Sequence, residues 1–133
     1  MARILVVEDN PTNMKLAVLI LEKAGNEVLQ ATDAEEGIHL AHTRMPELIL
    51  MDVHLPGMDG LSATRLLKGD AMTSRIKIVA LTALAMNGDR EKAEAAGCDG
   101  YITKPIHYKE MMKVVWAMVG ESQTPGFKVS AAG

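Results

Sequence analysis

The chain is short of positive charge, of cysteine and of long apolar runs, and each shortage closes off a class of protein. Lys and Arg number 14 against 17 Asp and Glu, a formal net charge of -3 over 133 residues. Holding a phosphodiester backbone takes a basic stripe, and none is present, so nucleic acid is not expected as a direct ligand. The single cysteine, Cys98, cannot close an internal disulfide. The opening MARILVVEDN is charged too early, and its apolar run is too short, for a signal peptide. A reducing cytoplasm is the expected setting. No apolar run approaches the roughly 18 residues of a membrane-spanning helix. His39, His42, His54 and His107 show no metal-ligand spacing and are read as surface residues, and ten methionines are read as adaptable core filler. A chain of this length suits one domain with a real core.

What is present is a regular alternation of short apolar runs and longer helical patterns. Ile4 to Val7 reads as a strand, followed by Asn10-Pro11, a good N-cap with proline at the first helical position, and a helix to about Ala24 stopped by Gly25. Glu27 to Ala31 is a second strand, and Asp33 with Glu36 opens a capped helix to about Thr43. Leu48 to Met51 leads through a Pro/Gly loop to a short helix near Ser62 to Lys68. Ile78 to Leu81 leads to a polar helix near Met86 to Ala96, closed by Gly97. Tyr101 to Thr103 precedes Lys104-Pro105 and an apolar helix from Tyr108 to Val119. Five βα units of this kind predict an α/β fold, a doubly wound (βα)5 sandwich with a parallel sheet covered on both faces. The first, third and fourth strands are continuously apolar and so central, whereas Glu27 and Gln30 place the second at an edge. The order 2-1-3-4-5 satisfies this, and it puts a ligand crevice beyond the carboxyl ends of the first and third strands.

The stretch ELILMDVHLPGMDG, residues 47–60, shows what the crevice holds. Four apolar residues run into Asp52, while the first strand ends in Glu8-Asp9. Neighbouring strands lie about 4.8 Å apart, so three carboxylates meet at one rim. Two carboxylates about 5 Å apart repel by roughly 3 kcal/mol at an effective dielectric of about 20, enough to raise a pKa by about two units. An all-oxygen cluster of this kind suits a hard divalent cation, Mg²⁺ above all. The fourth strand ends in Thr82, a hydroxyl, and the fifth is followed by Lys104, a compact cation suited to a phosphate oxygen. A carboxylate nucleophile beside a divalent cation, a hydroxyl and an ammonium is equipment for forming an aspartyl phosphate.

With VVEDN at the first strand end, LMDVHLPGMDG at the third, ALTA at the fourth and YITKPI at the fifth, the chain resembles response regulator receiver domains from about Arg3 to Glu121. Its style is that of single-domain regulators of chemotaxis and cell division. The resemblance implies two-component signalling, with Asp52 as phosphoacceptor taking its phosphoryl group from a histidine kinase or histidine phosphotransfer protein. It implies Mg²⁺ held by Asp9, Asp52 and the backbone carbonyl of His54, with Glu8 contributing mainly through water. Thr82 and Lys104 would bind the phosphoryl group, Tyr101 would turn inward as the switch, and Lys104-Pro105 would be cis. His54 and Leu84 would tune the lifetime of the phosphorylated state. The expected output is binding of a downstream protein by a monomer or weak homodimer, with no enzymatic turnover beyond the domain's own phosphorylation and dephosphorylation.

Two helices are greasier than such a fold requires. On the first, Met14, Ala17, Val18 and Leu21 suffice for the core, leaving Leu16, Leu19 and Ile20 as a candidate partner surface at 100° per residue. On the last, Met111, Val114, Val115 and Met118 make the core stripe, leaving Met112, Trp116 and Val119 as a candidate output or dimer surface. Residues 122–133, SQTPGFKVSAAG, read as a flexible tail. Three rivals stand beside the switch. A receiver excised from a hybrid kinase or larger regulator would look the same. A Mg²⁺-dependent phosphohydrolase of the haloacid dehalogenase kind wants an Asp-x-Asp pair, but Val53-His54 follow Asp52. A flavodoxin would place a flavin phosphate in the first loop, where Glu8 and Asp9 repel it.

Overall fold

The computed structural model describes residues 1–83 and 88–120. In chain order the elements are β1 (Arg3–Val7), α1 (Pro11–Lys23), β2 (Glu27–Ala31), α2 (Ala34–Arg44), β3 (Leu48–Asp52), α3 (Gly60–Gly69), β4 (Lys77–Thr82), α4 (Asp89–Ala96), β5 (Gly100–Thr103) and α5 (Tyr108–Val119). All strand pairs are parallel and the sheet order is β2-β1-β3-β4-β5, as the strand compositions require. The expected start of the fourth helix at Met86 lies outside the described residues, as does the tail.

Period-two alternation divides each central strand between two cores. Ile4, Val6, Leu48, Leu50, Val79 and Leu81 face α1 and α5, while Leu5, Val7, Ile49, Met51 and Ile78 face α2 and α3. Each such side chain, fully removed from water, contributes roughly 1.5–3 kcal/mol. The two edge strands, β2 and β5, stay half-covered. The first two helix starts are fixed as the sequence proposed. Asn10 caps α1 by accepting from Asn13 N–H at 3.0 Å, and Asp33 caps α2 through Glu36 N–H at 2.8 Å. Thr32 N–H donates to Glu36 Oε1 at 2.9 Å, so the return bond of that cap lands one residue earlier than a capping box.

The helix stripes need correction. Ile20 is 4% exposed and Met112 8%, both within the core, and Val119 packs against it. The partner surface expected on α1 reduces to Leu16 and Leu19, 37% and 53% exposed, and that on α5 to the half-buried Trp116. A second correction concerns His42, which is half-buried rather than a bare surface residue. Its Nε2 lies 2.8 Å from Asp70 Oδ2 and its Nδ1 3.0 Å from Ile38 O, joining α2 to the end of α3. The Asp70 carboxylate raises the imidazole pKa, and the imidazole lowers that of Asp70.

Candidate functional site

The register sets the site. Val7 pairs with Met51, so the next residues along, Glu8 and Asp52, leave their strands side by side. Glu8 N–H still donates to Ala31 O at 3.0 Å, which keeps its backbone in the ladder. One carboxylate oxygen each from Glu8, Asp9 and Asp52 lies within 4.8 Å of the others, Glu8 and Asp52 buried and Asp9 exposed. The crevice therefore has a closed floor and one wet wall.

Lys104 reaches in from beyond β5. Its Nζ lies 2.7 Å from Glu8 Oε1 and 3.1 Å from Asp52 Oδ2. Its backbone N–H donates to Thr82 O at 2.7 Å, and Lys104-Pro105 is cis. Asp52 Oδ1 accepts from His54 N–H at 2.9 Å, and Glu8 Oε2 accepts from Asn10 N–H at 3.1 Å. Glu8 Oε1 is buried, and the Lys104 ammonium at 2.7 Å is its ion-pair partner. Buried Thr82 ends β4 and lines a cavity of about 290 Å³ together with Val53, His54 and Tyr101.

Three carboxylates face one ammonium here, and the titration of Glu8 registers the imbalance. Burial first, then a hydrogen bond with Asp52 and the charge of Asp52, push its pKa up to about 7 against the pull of Lys104 and Asn10. Burial alone would lower the Lys104 pKa, but Glu8 and Asp52 hold it above the ordinary lysine value. The donors fit a hard divalent cation: all are oxygens, they converge, and they carry excess negative charge.

A pH dependence follows for the metal-free protein. A folded-state pKa raised from 4.5 to about 7 means that the folded form holds the proton more tightly. The stability linked to Glu8 is therefore full below the unfolded value and is lost as pH rises toward 7. Thermal melts in chelator are expected to fall from pH 5 to pH 8, with a shallower fall in Glu8→Gln or with saturating Mg²⁺. Equal slopes in wild type and Glu8→Gln would remove the assignment.

Gly60, at the end of the Pro/Gly loop that follows β3, supports the site directly. A Cβ there would stand 1.9 Å from Asp52 O and 2.8 Å from Asp52 C. The start of α3 thus lies against the peptide that carries the central carboxylate. Asp-Gly after a strand signals a turn, but nothing in the sequence marks this approach.

The response regulator receiver domain profile matches residues 4–116. The chain belongs to that family. This receiver domain is 38% identical over 119 residues to the polar-differentiation response regulator DivK of Brucella anthropi, covering 90% of the chain and 97% of DivK. The receiver domain of a sensor histidine kinase from Pseudomonas aeruginosa superposes with a TM-score of 0.83 at 36% identity, over 90% of this chain and 98% of that one. That structure has a magnesium ion coordinated in its active-site cleft. A Vibrio cholerae chemotaxis protein, CheY4, shares the fold, with TM-score 0.84 at 24% identity over 89% of this chain and 98% of that one. The protein is thus a response-regulator receiver domain of two-component signalling, a switch rather than a conventional enzyme. Among the described residues no helix is long and apolar enough to cross a membrane.

Proposed function

We propose that this receiver domain, residues 1–121, takes a phosphoryl group onto Asp52 from the phosphohistidine of a histidine kinase or phosphotransfer protein, and that the charge alters which downstream protein it binds. The carrying observation is the convergence of the Glu8, Asp9 and Asp52 oxygens within 4.8 Å, with Lys104 already on Asp52. An Asp52 carboxylate oxygen attacks phosphorus, the donor's P–N bond breaks, and the imidazole leaves with the electron pair. His54 N–H fixes one Asp52 oxygen, which orients the other for attack. Lys104 meets the phosphoryl oxygens as they gain charge, and the Thr82 hydroxyl donates to one of them. Asp9, Asp52 and the His54 backbone carbonyl would hold Mg²⁺, with Glu8 acting through water; the ion when bound neutralises phosphoryl charge. Tyr101 follows Thr82 inward.

The partner's approach falls to Leu16, Leu19 and a groove of about 530 Å³ that runs from Glu8 and Asp9 along Lys15, Val18 and Leu19 to Gln30. Output falls to the α4–β5–α5 side, including Trp116, in a cytoplasmic monomer or weak homodimer. The likeness to a kinase's receiver at 36% identity supports a second reading, in which the same switch serves within a hybrid kinase. Intact mass after incubation with Mg²⁺ and acetyl phosphate tests the chemistry common to both. One phosphoryl addition is expected on wild type and none on Asp52→Asn; addition to both would move the site elsewhere.

A further inference from the structure

Tyr101 stands between two cavities. On one side lies the space of about 290 Å³ that reaches Thr82, walled by Val53, His54 and Leu61 and edged by Arg65 and Lys92. On the other lies a space of about 230 Å³ bounded by Ala93, Glu94, Cys98 and Asp99. A cavity of about 150 Å³ accepts a benzene ring, so a phenol has room on the Thr82 side. Over the ring sits Arg90 of α4, its guanidinium carbon 5.5 Å from the ring centroid, within the range of cation–π attraction. Arg90 is exposed and Tyr101 half-exposed, so the contact has a modest, tunable strength.

We infer that Arg90 is the positioning residue that holds the Tyr101 ring away from Thr82, setting how often the domain samples its switched form before any phosphoryl group arrives. The inference rests on the switch reading for what the inward ring does, but the latch itself belongs to the free protein. The guanidinium attracts the ring face in the position described here, 5.5 Å from the centroid. A ring turned into the Thr82 cavity leaves the cation to water, so the contact is a difference between the two positions and shifts their ratio. At the strength usual for exposed pairs, the shift is about two- to fivefold.

The test reads Tyr101 χ1 populations from side-chain NMR couplings in the full chain, without metal or phosphodonor. Arg90→Ala is expected to lower the outward-to-inward ratio by about two- to fivefold, and Arg90→Lys to recover most of it. Unchanged populations in Arg90→Ala, with the backbone spectrum preserved, overturn the latch, as does an Arg90→Lys variant indistinguishable from Arg90→Ala. Acetyl phosphate labelling of the same samples keeps the two ideas separate. A protein that shows the rotamer shift but gains no mass has the latch and lacks the proposed chemistry, whereas labelling without the shift leaves the chemistry and removes the latch.

Discussion

Gly60→Ala is expected to destabilise the fold by about 2–3 kcal/mol, at the upper end of overpacking effects, and to slow Asp52 labelling more than tenfold. Alanine's higher helix propensity favours the variant by at most about 1 kcal/mol. Against this stands a Cβ placed 1.9 Å from Asp52 O, a backbone atom that no side-chain rotation can move. Relief requires α3 to withdraw or β3 to shift, and either movement displaces Asp52 relative to Glu8, Asp9 and Lys104. Gly69, at the other end of the same helix, is the control. A Cβ there meets nothing within 4 Å, so Gly69→Ala is expected to be neutral or stabilising by about 0.5 kcal/mol. Urea denaturation of both variants, alongside labelling rates, makes the comparison. Two variants of equal stability would show that the close approach relaxes freely.

The second large effect has the opposite sign. Asp52→Asn, the variant expected not to be labelled, is expected to raise metal-free stability by about 1–2 kcal/mol, because one of three converging carboxylates loses its charge while Lys104 keeps a partner. At an effective dielectric of about 20, Lys104 at 3.1 Å attracts Asp52 by roughly 5 kcal/mol. Glu8, with its oxygen within 4.8 Å, repels it by at least roughly 3 kcal/mol. Asp9 repels it too, but is exposed and screened. The repulsion offsets more than half of the attraction, and burial tips the balance: Asp52 is 2% exposed, and holding an ionised carboxylate out of water is unfavourable. Lys104 keeps Glu8 as its partner at 2.7 Å in the variant. Mg²⁺ is expected to stabilise wild type and to do much less for Asp52→Asn, because a ligand stabilises only the form that binds it. A variant less stable than wild type in chelator would show that the ammonium's attraction outweighs burial and repulsion together.

Much of this molecule could be read before its structure was known. The alternation of buried runs with capped helices needs only local patterns, and strand composition ordered the sheet. Acids at two strand ends revealed the crevice because parallel register brings strand ends to one rim. The failures share a cause in contacts between elements. A helical wheel treats α1 and α5 alone on a flat sheet, but the two also pack against each other. Ile20 and Met112 are buried on that account, and they join a single core. His42 and Asp70 are 28 residues apart, and no local pattern pairs them. Gly60 is an ordinary turn residue until the peptide above it is seen.

The bond from Lys104 N–H to Thr82 O, 2.7 Å long, ties the last residue of β4 to the residue just past β5. Breaking it would sacrifice about 1 kcal/mol, so small displacements travel through it rather than around it. The hydroxyl and the ammonium that flank Asp52 are therefore yoked, two arms of one pincer hinged on main chain. Tyr101 lies on β5, three residues before Lys104, within reach of whatever motion that hinge transmits.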